Sequence, residues 1–260
     1  AELGAGEYDY DSPERVHYFA EATKRAFHDG HRYITDPEYE EVPPLASEEW
    51  AVERAAGVGE TASHDVSFGV PNANAEDADT VLLTVADDEG NVVSYINSRY
   101  AGFGSGLVAG DTGIALQNRG GSFSLDPEHP NHLEPGKRPF HTLVPAVARF
   151  DEDDWAAFGV MGGYMQPQGH VQVLSNLIDY DMTLQAALDA PRWRYREDDS
   201  LALEERLGAG SGIQSKLVRM GHDVRILTPT MFGGAQIARN RDGILSAATE
   251  PRKDGNAVGY

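Results

Sequence analysis

The sequence changes character at residue 80. Residues 57–79 (GVGETASHDVSFGVPNANAEDAD) have no sustained period and are rich in Gly, Ala, Asn and Asp, the composition of a long exposed linker. Thr80–Ala86 (TVLLTVA) is then rich in strand formers, Asp87–Asn91 is a turn, and Val92–Asn97 is strand again, which is a hairpin signature. Further strands are predicted near 107–117, 143–149, 155–160, 223–227, 235–238 and 243–247. Helices are predicted near 168–178, at 184–190 after Thr183 with Pro191 as the stop, and near 211–220. Upstream, Ser12-Pro13 reads as an N-cap followed by proline at the first helical position. Val16, Phe19, Ala20, Thr23, Ala26 and Phe27 recur at helical spacing, and Gly30 is the predicted close of that helix. A second short helix is predicted from Ser47 through Ala56. Strand runs mixed with helix pairs point to an α+β fold built in layers.

At 260 residues the chain is long enough for one large core or two small ones, and 40% of its residues are apolar. No run approaches the roughly 18 apolar residues that span a bilayer. The absence of cysteine excludes disulfides, thiolate metal sites and a Cys nucleophile. The formal charge is -21, and Lys24, Lys137, Lys216 and Lys253 are the only lysines among 21 basic residues. Such a surface repels nucleic acid and anionic membranes. It reads as a salt-adapted surface, the alternative being an ordinary acidic cytoplasmic protein. The N-terminus, Ala1-Glu2-Leu3-Gly4, has neither a basic region nor an apolar stretch, and it lacks a starting Met. A leader could therefore have been removed or omitted, and localisation stays open, with cytoplasmic favoured over secreted.

Thr80 opens a strand behind a linker, which alone says little. The segment Thr80–Ser124 adds a D-x-x-G-N turn, a G-F-G-S-G loop and a D-T-G-I-x-L strand. Pro135-Gly136-Lys137-Arg138-Pro139 follows with His141-Thr142, then Gly159–Gly163 (GVMGG), and the chain ends Glu250-Pro251-Arg252-Lys253-Asp254-Gly255…Gly259-Tyr260. In this order the motifs resemble the small subunit of gamma-glutamyltranspeptidases, and residues 13–55 resemble the last helices of the large subunit. The resemblance implies an N-terminal-nucleophile hydrolase with a four-layer αββα sandwich, here partial because the N-terminal half of the large subunit is absent. It implies residues 1–79 as the end of the large subunit plus linker, and residues 80–260 as the small catalytic subunit, the two forming one combined domain.

It also implies a self-cleaving precursor. The Thr80 hydroxyl attacks the Asp79 carbonyl, passes through an ester and frees a new N-terminus. That α-amine, with a reference pKa of about 7.7–8.0, suits a base at neutral pH. One residue then supplies both nucleophile and base. Gly162 and Gly163 are the candidate oxyanion hole, because glycine lets backbone N–H groups approach a ligand closely; a plain turn is the competing reading. Ser98 falls where the family has a second hydroxyl that hydrogen-bonds the nucleophile.

Departures from the family bear on the substrate. Members that read glutamate use Asn where Tyr100 stands, Gln where Arg119 stands and an acidic residue where Ser122 stands. Their paired serines become His141-Thr142. These positions resemble the acylase-like branch, in which an aromatic and a cation would suit an acyl chain bearing a carboxylate and no α-amine. A solvated surface Arg119 is the alternative. His28-x-x-His31 lacks a third ligand for a metal, no cofactor is expected, and His170 is expected to be buried or capping. The expected activity is an amidohydrolase or acyltransferase acting on gamma-glutamyl compounds such as glutathione or related acyl amides, or a cephalosporin or glutaryl acylase. The rival class is an inactive fragment needing a partner chain that supplies the missing large-subunit half.

Overall fold

A computed structural model describes residues 2–68, 80–208 and 212–260. The chain divides into two units that alternate along the sequence: 1–74, 118–141 and 193–227 form the first, and 75–117, 142–192 and 228–260 the second. The first unit therefore draws residues from both sides of the expected 79/80 cleavage point.

In the first unit Ser12 caps helix α1 (Pro13–Tyr33), its hydroxyl accepting from Arg15 N at 3.1 Å. The helix does not end at Gly30. It runs three residues further because His31, one residue on, is still on the packed face, stacked against Phe27 and held by Phe68 O at 2.8 Å. Glycine stops a helix when it turns left-handed, and Gly30 stays helical. Helix α2 (Glu48–Ala55) starts from a Ser47 cap as expected. The α1 residues Val16 and Ala20 pack against Trp193, Leu201, Leu203, Ile213 and Leu217.

The hairpin comes next in the chain, in the second unit. Strands β1 (Thr80–Ala86) and β2 (Val92–Ser98) pair antiparallel, with Thr80 opposite Ser98 and Ala86 opposite Val92. The turn is set by Asp87, whose carboxylate accepts from Glu89 N, Asn91 N and Asn91 Nδ2 at 2.8–3.1 Å. Beneath it lies a four-stranded antiparallel sheet of β3 (Ala146–Asp151) and β4 (Asp154–Met161), then the two C-terminal strands. Helices α3 (Met165–Ile178) and α4 (Leu184–Asp189) pack on that sheet through Met165, Val173, Leu177, Ala187 and Leu188. Leu82 reaches down onto Gly159, where an added Cβ would lie 3.0 Å from its Cδ1, and Ser94 Oγ donates to Phe158 O at 2.8 Å.

Back in the first unit, β5 (Trp193–Tyr195) and β6 (Leu201–Glu204) pair antiparallel, and after α5 (Glu205–Gly208) and α6 (Ile213–Arg219), β7 (Val224–Leu227) joins β6 in parallel. The strands β8 (Gly234–Arg241) and β9 (Ile244–Thr249) complete the four-stranded sheet in the order β3-β4-β8-β9.

One expectation fails and another is qualified. No strand forms over 107–117: a lone bridge joins Val108 to Ala115, because Gly110 and Gly113 take positive φ and interrupt the ladder. Residues 57–68 are mostly exposed, as expected of a linker, but they are anchored at Phe68, which is buried among Phe27, His31 and Tyr195 and whose N–H donates to Asp199 at 2.8 Å. The rest of that linker, 69–79, lies outside the described residues.

Candidate active site

The hairpin register decides what stands beside Thr80. Seven residues on each side of the Asp87–Asn91 turn bring Ser98 opposite Thr80, and alternation points both inward. Thr80 is buried, and its Oγ1 donates to Ser98 Oγ at 3.0 Å. Ser98 Oγ also accepts from Tyr100 N at 3.1 Å. Tyr100 itself sits at φ 80°, a left-handed conformation that costs a bulky residue about 1–3 kcal/mol. Its hydrogen bond to Ser98 is one contact that holds it there.

Across from the hairpin, β4 ends at Met161 and α3 begins at Met165, leaving a three-residue turn. Gly162 has φ 124°, and a Cβ on it would lie 2.9 Å from Gly233 Cα, so no larger residue fits without backbone movement. Gly162 O accepts from Met165 N at 3.0 Å and Gly163 O from Gln166 N at 3.1 Å. In a planar trans peptide the C=O and N–H point opposite ways. With both carbonyls turned into the helix, the N–H groups of Gly163 and Tyr164 are turned out of its N-terminus, the positive end of the helix dipole.

Thr80, Ser98, Tyr100, Thr142 and Gly163 line one crevice of about 10 Å³, with Tyr164 and Gln166 completing it. That is room for about one water. Gly162 is not part of this lining. A groove of about 460 Å³ reaches Thr80 from along β1, walled by Gln236, Ala247 and the tail from Lys253 to Val258. Tyr164 and Gln166 are not singled out by the sequence, whose predicted helix begins only near residue 168.

The remaining expected residues belong to the first unit. Arg119 and Ser122 form a single turn of 3-10 helix, and both are buried, so Arg119 is not a solvated surface residue. Ser122 Oγ lies 2.8 Å from Arg119 O and 3.1 Å from Phe140 O, which commits its one proton to backbone carbonyls. His141 is pushed below its ordinary pKa, first by burial and then by the Arg119 charge, so it is neutral at pH 7.

His170, His31, His17 and His222 make structural contacts. His170 Nε2 accepts from Val160 N at 3.1 Å, and burial pushes its pKa down to about 4. His31 bonds Phe68 O and is not posed as a ligand. His17, Glu21 and His222 do bring three ligand atoms within 4.8 Å of one another. They form a closed network instead: His17 bonds Gly59 O and His222 at 2.8 Å each, and Glu21 pairs with Lys24 and Arg25 at 2.7 and 3.0 Å. Two cations already at that carboxylate oppose a third.

A family model described as Gamma-glutamyltranspeptidase matches residues 2–260. The oxamate amidohydrolase proenzyme of Klebsiella pneumoniae is 39% identical over 97% of this chain and 48% of its own length. The glutathione hydrolase-like YwrD proenzyme of Bacillus subtilis is 38% identical over 96% of this chain and 48% of its own. Among solved structures, cephalosporin acylase from Bacillus halodurans matches with a TM-score of 0.80 at 38% identity, covering 100% of this chain and 49% of that one. The chain thus spans about half the length of these relatives, and its fold is part of the N-terminal-nucleophile hydrolase αββα sandwich.

Proposed function

From the premise that this chain belongs to the gamma-glutamyltranspeptidase family of amide-bond hydrolases and transferases, we propose that it is the catalytic C-terminal part of a self-processing amidohydrolase with Thr80 as nucleophile. The observation that carries this is the pairing of Thr80 Oγ1 with Ser98 Oγ at 3.0 Å in a crevice shared with the Gly163 and Tyr164 backbone.

In this reading Thr80 Oγ first attacks the carbonyl carbon of Asp79, which lies outside the described residues. An N-to-O acyl shift gives an ester, and water releases it, leaving a free α-amine on Thr80. In turnover that amine takes the Thr80 hydroxyl proton while Oγ bonds to the substrate carbonyl carbon. The C–N bond breaks, the departing amine receives the proton, and an acyl ester remains on Thr80 for water or an acceptor amine. Ser98 orients the nucleophile's hydroxyl. Outward N–H groups at Gly163 and its neighbours stabilise the oxyanion of each tetrahedral intermediate. A chain supplying the counterpart of the relatives' remaining half would complete the pocket.

We read the acyl group as one carrying a carboxylate and no α-amine. A buried cation at 119 and a committed hydroxyl at 122 support this, as does a relative named for oxamate, an amide of that description. Incubation of the purified protein, with N-terminal sequencing of the fragments, tests the nucleophile assignment. A new terminus at Thr80 is expected, absent in Thr80→Ala; a different terminus, or cleavage that survives the substitution, overturns it.

A further inference from the structure

Gln166 lines the crevice with Thr80 yet is 1% exposed. Its side-chain carboxamide bridges the Gly163 turn and the backbone at Val144. Nε2 donates to Gly163 O at 3.2 Å, and Oε1 accepts from Val144 N at 3.3 Å. The orientation of the amide is unambiguous, since a carbonyl needs a donor and an N–H needs an acceptor. Gly163 O thus receives two bonds from one residue, from Gln166 N at 3.1 Å and from Gln166 Nε2.

This has a consequence for the peptide joining Gly163 to Tyr164. Glycine at positive φ is free to rotate, and Gly163 has φ 57°. A carbonyl held from two directions fixes that peptide plane, and with it the opposite N–H of Tyr164. The same carboxamide fixes the segment just after Thr142, another residue of the crevice, by holding the Val144 amide.

Resting on the proposed function, we infer that Gln166 is a positioning residue: it locks the 162–164 turn in the conformation that presents backbone N–H groups to the oxyanion formed at Thr80. Gln166 touches neither substrate nor nucleophile in this role. Both acylation and deacylation pass through that oxyanion, so kcat depends on Gln166 whichever step limits. Substrate binding, which precedes oxyanion formation, does not.

The test uses processed enzyme reconstituted with the chain that supplies its remaining half, with glutaryl-p-nitroanilide as substrate, comparing wild type, Gln166→Met and Gln166→Glu. Removing one oxyanion donor outright costs about 100- to 1000-fold in kcat, so loosening its support should cost about 10- to 100-fold with KM within about twofold. Gln166→Glu keeps the acceptor for Val144 and can donate to Gly163 O only while protonated. Its kcat relative to wild type should therefore fall as pH rises through the pKa of the buried carboxyl, a dependence that a purely structural role would not produce. Unchanged kcat in both variants, a loss confined to melting temperature, or a pH-independent deficit in Gln166→Glu would each overturn the inference. A processed wild type inactive on every amide tried would instead bring down the proposed function, and this inference with it.

Discussion

Thr80 and Ser98 face each other at the open end of a hairpin whose closed end is set by Asp87. Their hydroxyls are 3.0 Å apart, and Ser98 Oγ accepts a second bond from Tyr100 N. Ser98→Ala removes both hydrogen bonds at once. A net hydrogen bond is worth about 0.5–1.5 kcal/mol, and more where a strained residue also depends on it. The expected loss is roughly 10- to 100-fold in kcat/KM, with slower processing, while Ser98→Thr keeps the oxygen and most of the activity. Steady-state kinetics on the three proteins decides it; full activity in Ser98→Ala would remove Ser98 from the mechanism.

How far this site could be read in the sequence follows from distance along the chain. Thr80, Ser98 and the turn between them are local, so turn chemistry and strand formers marked the hairpin, and the resemblance to the family singled out the pair within it. The Gly162-Gly163 turn was visible as a motif, but which N–H groups face outward depends on the carbonyls of the first turn of α3, and only the coordinates show that. Gln166 was invisible because its role is a bridge to Val144, twenty-two residues back. Strands β5 and β6 were missed because three and four residues, buried on both faces, show no alternation. Phe68 misled in the opposite sense: one aromatic in a polar stretch anchors backbone that has no periodic structure.

Acid should destabilise the second unit through His170. Its ring is buried as an acceptor for Val160 N, and its pKa lies at about 4 against an ordinary 6.5. The unfolded chain takes up the proton first, so stability is complete above pH 6.5 and is lost as pH falls toward 4. The loss approaches about 3 kcal/mol. Gln at this position can still accept from Val160 N without titrating. Melting temperatures between pH 6.5 and 5 should fall more steeply for wild type than for His170→Gln; parallel curves would show that His170 does not titrate as described.

Salt should have the opposite effect. A formal charge of -21 repels itself, and screening shortens the reach of that repulsion from about 10 Å at 0.1 M to about 3 Å at 1 M. The melting temperature is expected to rise over the molar range of NaCl. A flat or falling curve would leave the acidic surface without a role in salt adaptation.

The proposed substrate preference rests on three positions matched to the family's motif. An α-ammonium group that leaves water needs a full negative charge to receive it. Ser122 has none, and its proton is held by Arg119 O and Phe140 O. Arg119 is a buried cation, and His141 beside it is neutral, so neither supplies the missing anion. Tyr100 places a broad apolar side chain at the Thr80 crevice, where glutamate-reading members of the family have a compact amide. A charge-assisted hydrogen bond is worth about 1.5–3 kcal/mol, so an α-amine should cost at least roughly tenfold in kcat/KM. Gamma-glutamyl-p-nitroanilide and glutaryl-p-nitroanilide differ only in that amine. The processed enzyme, reconstituted with its remaining half, is expected to favour the glutaryl compound by that factor. A clear preference for the gamma-glutamyl compound would mean that a carboxylate reaches the substrate from elsewhere, and the activity would then be that of an ordinary transpeptidase.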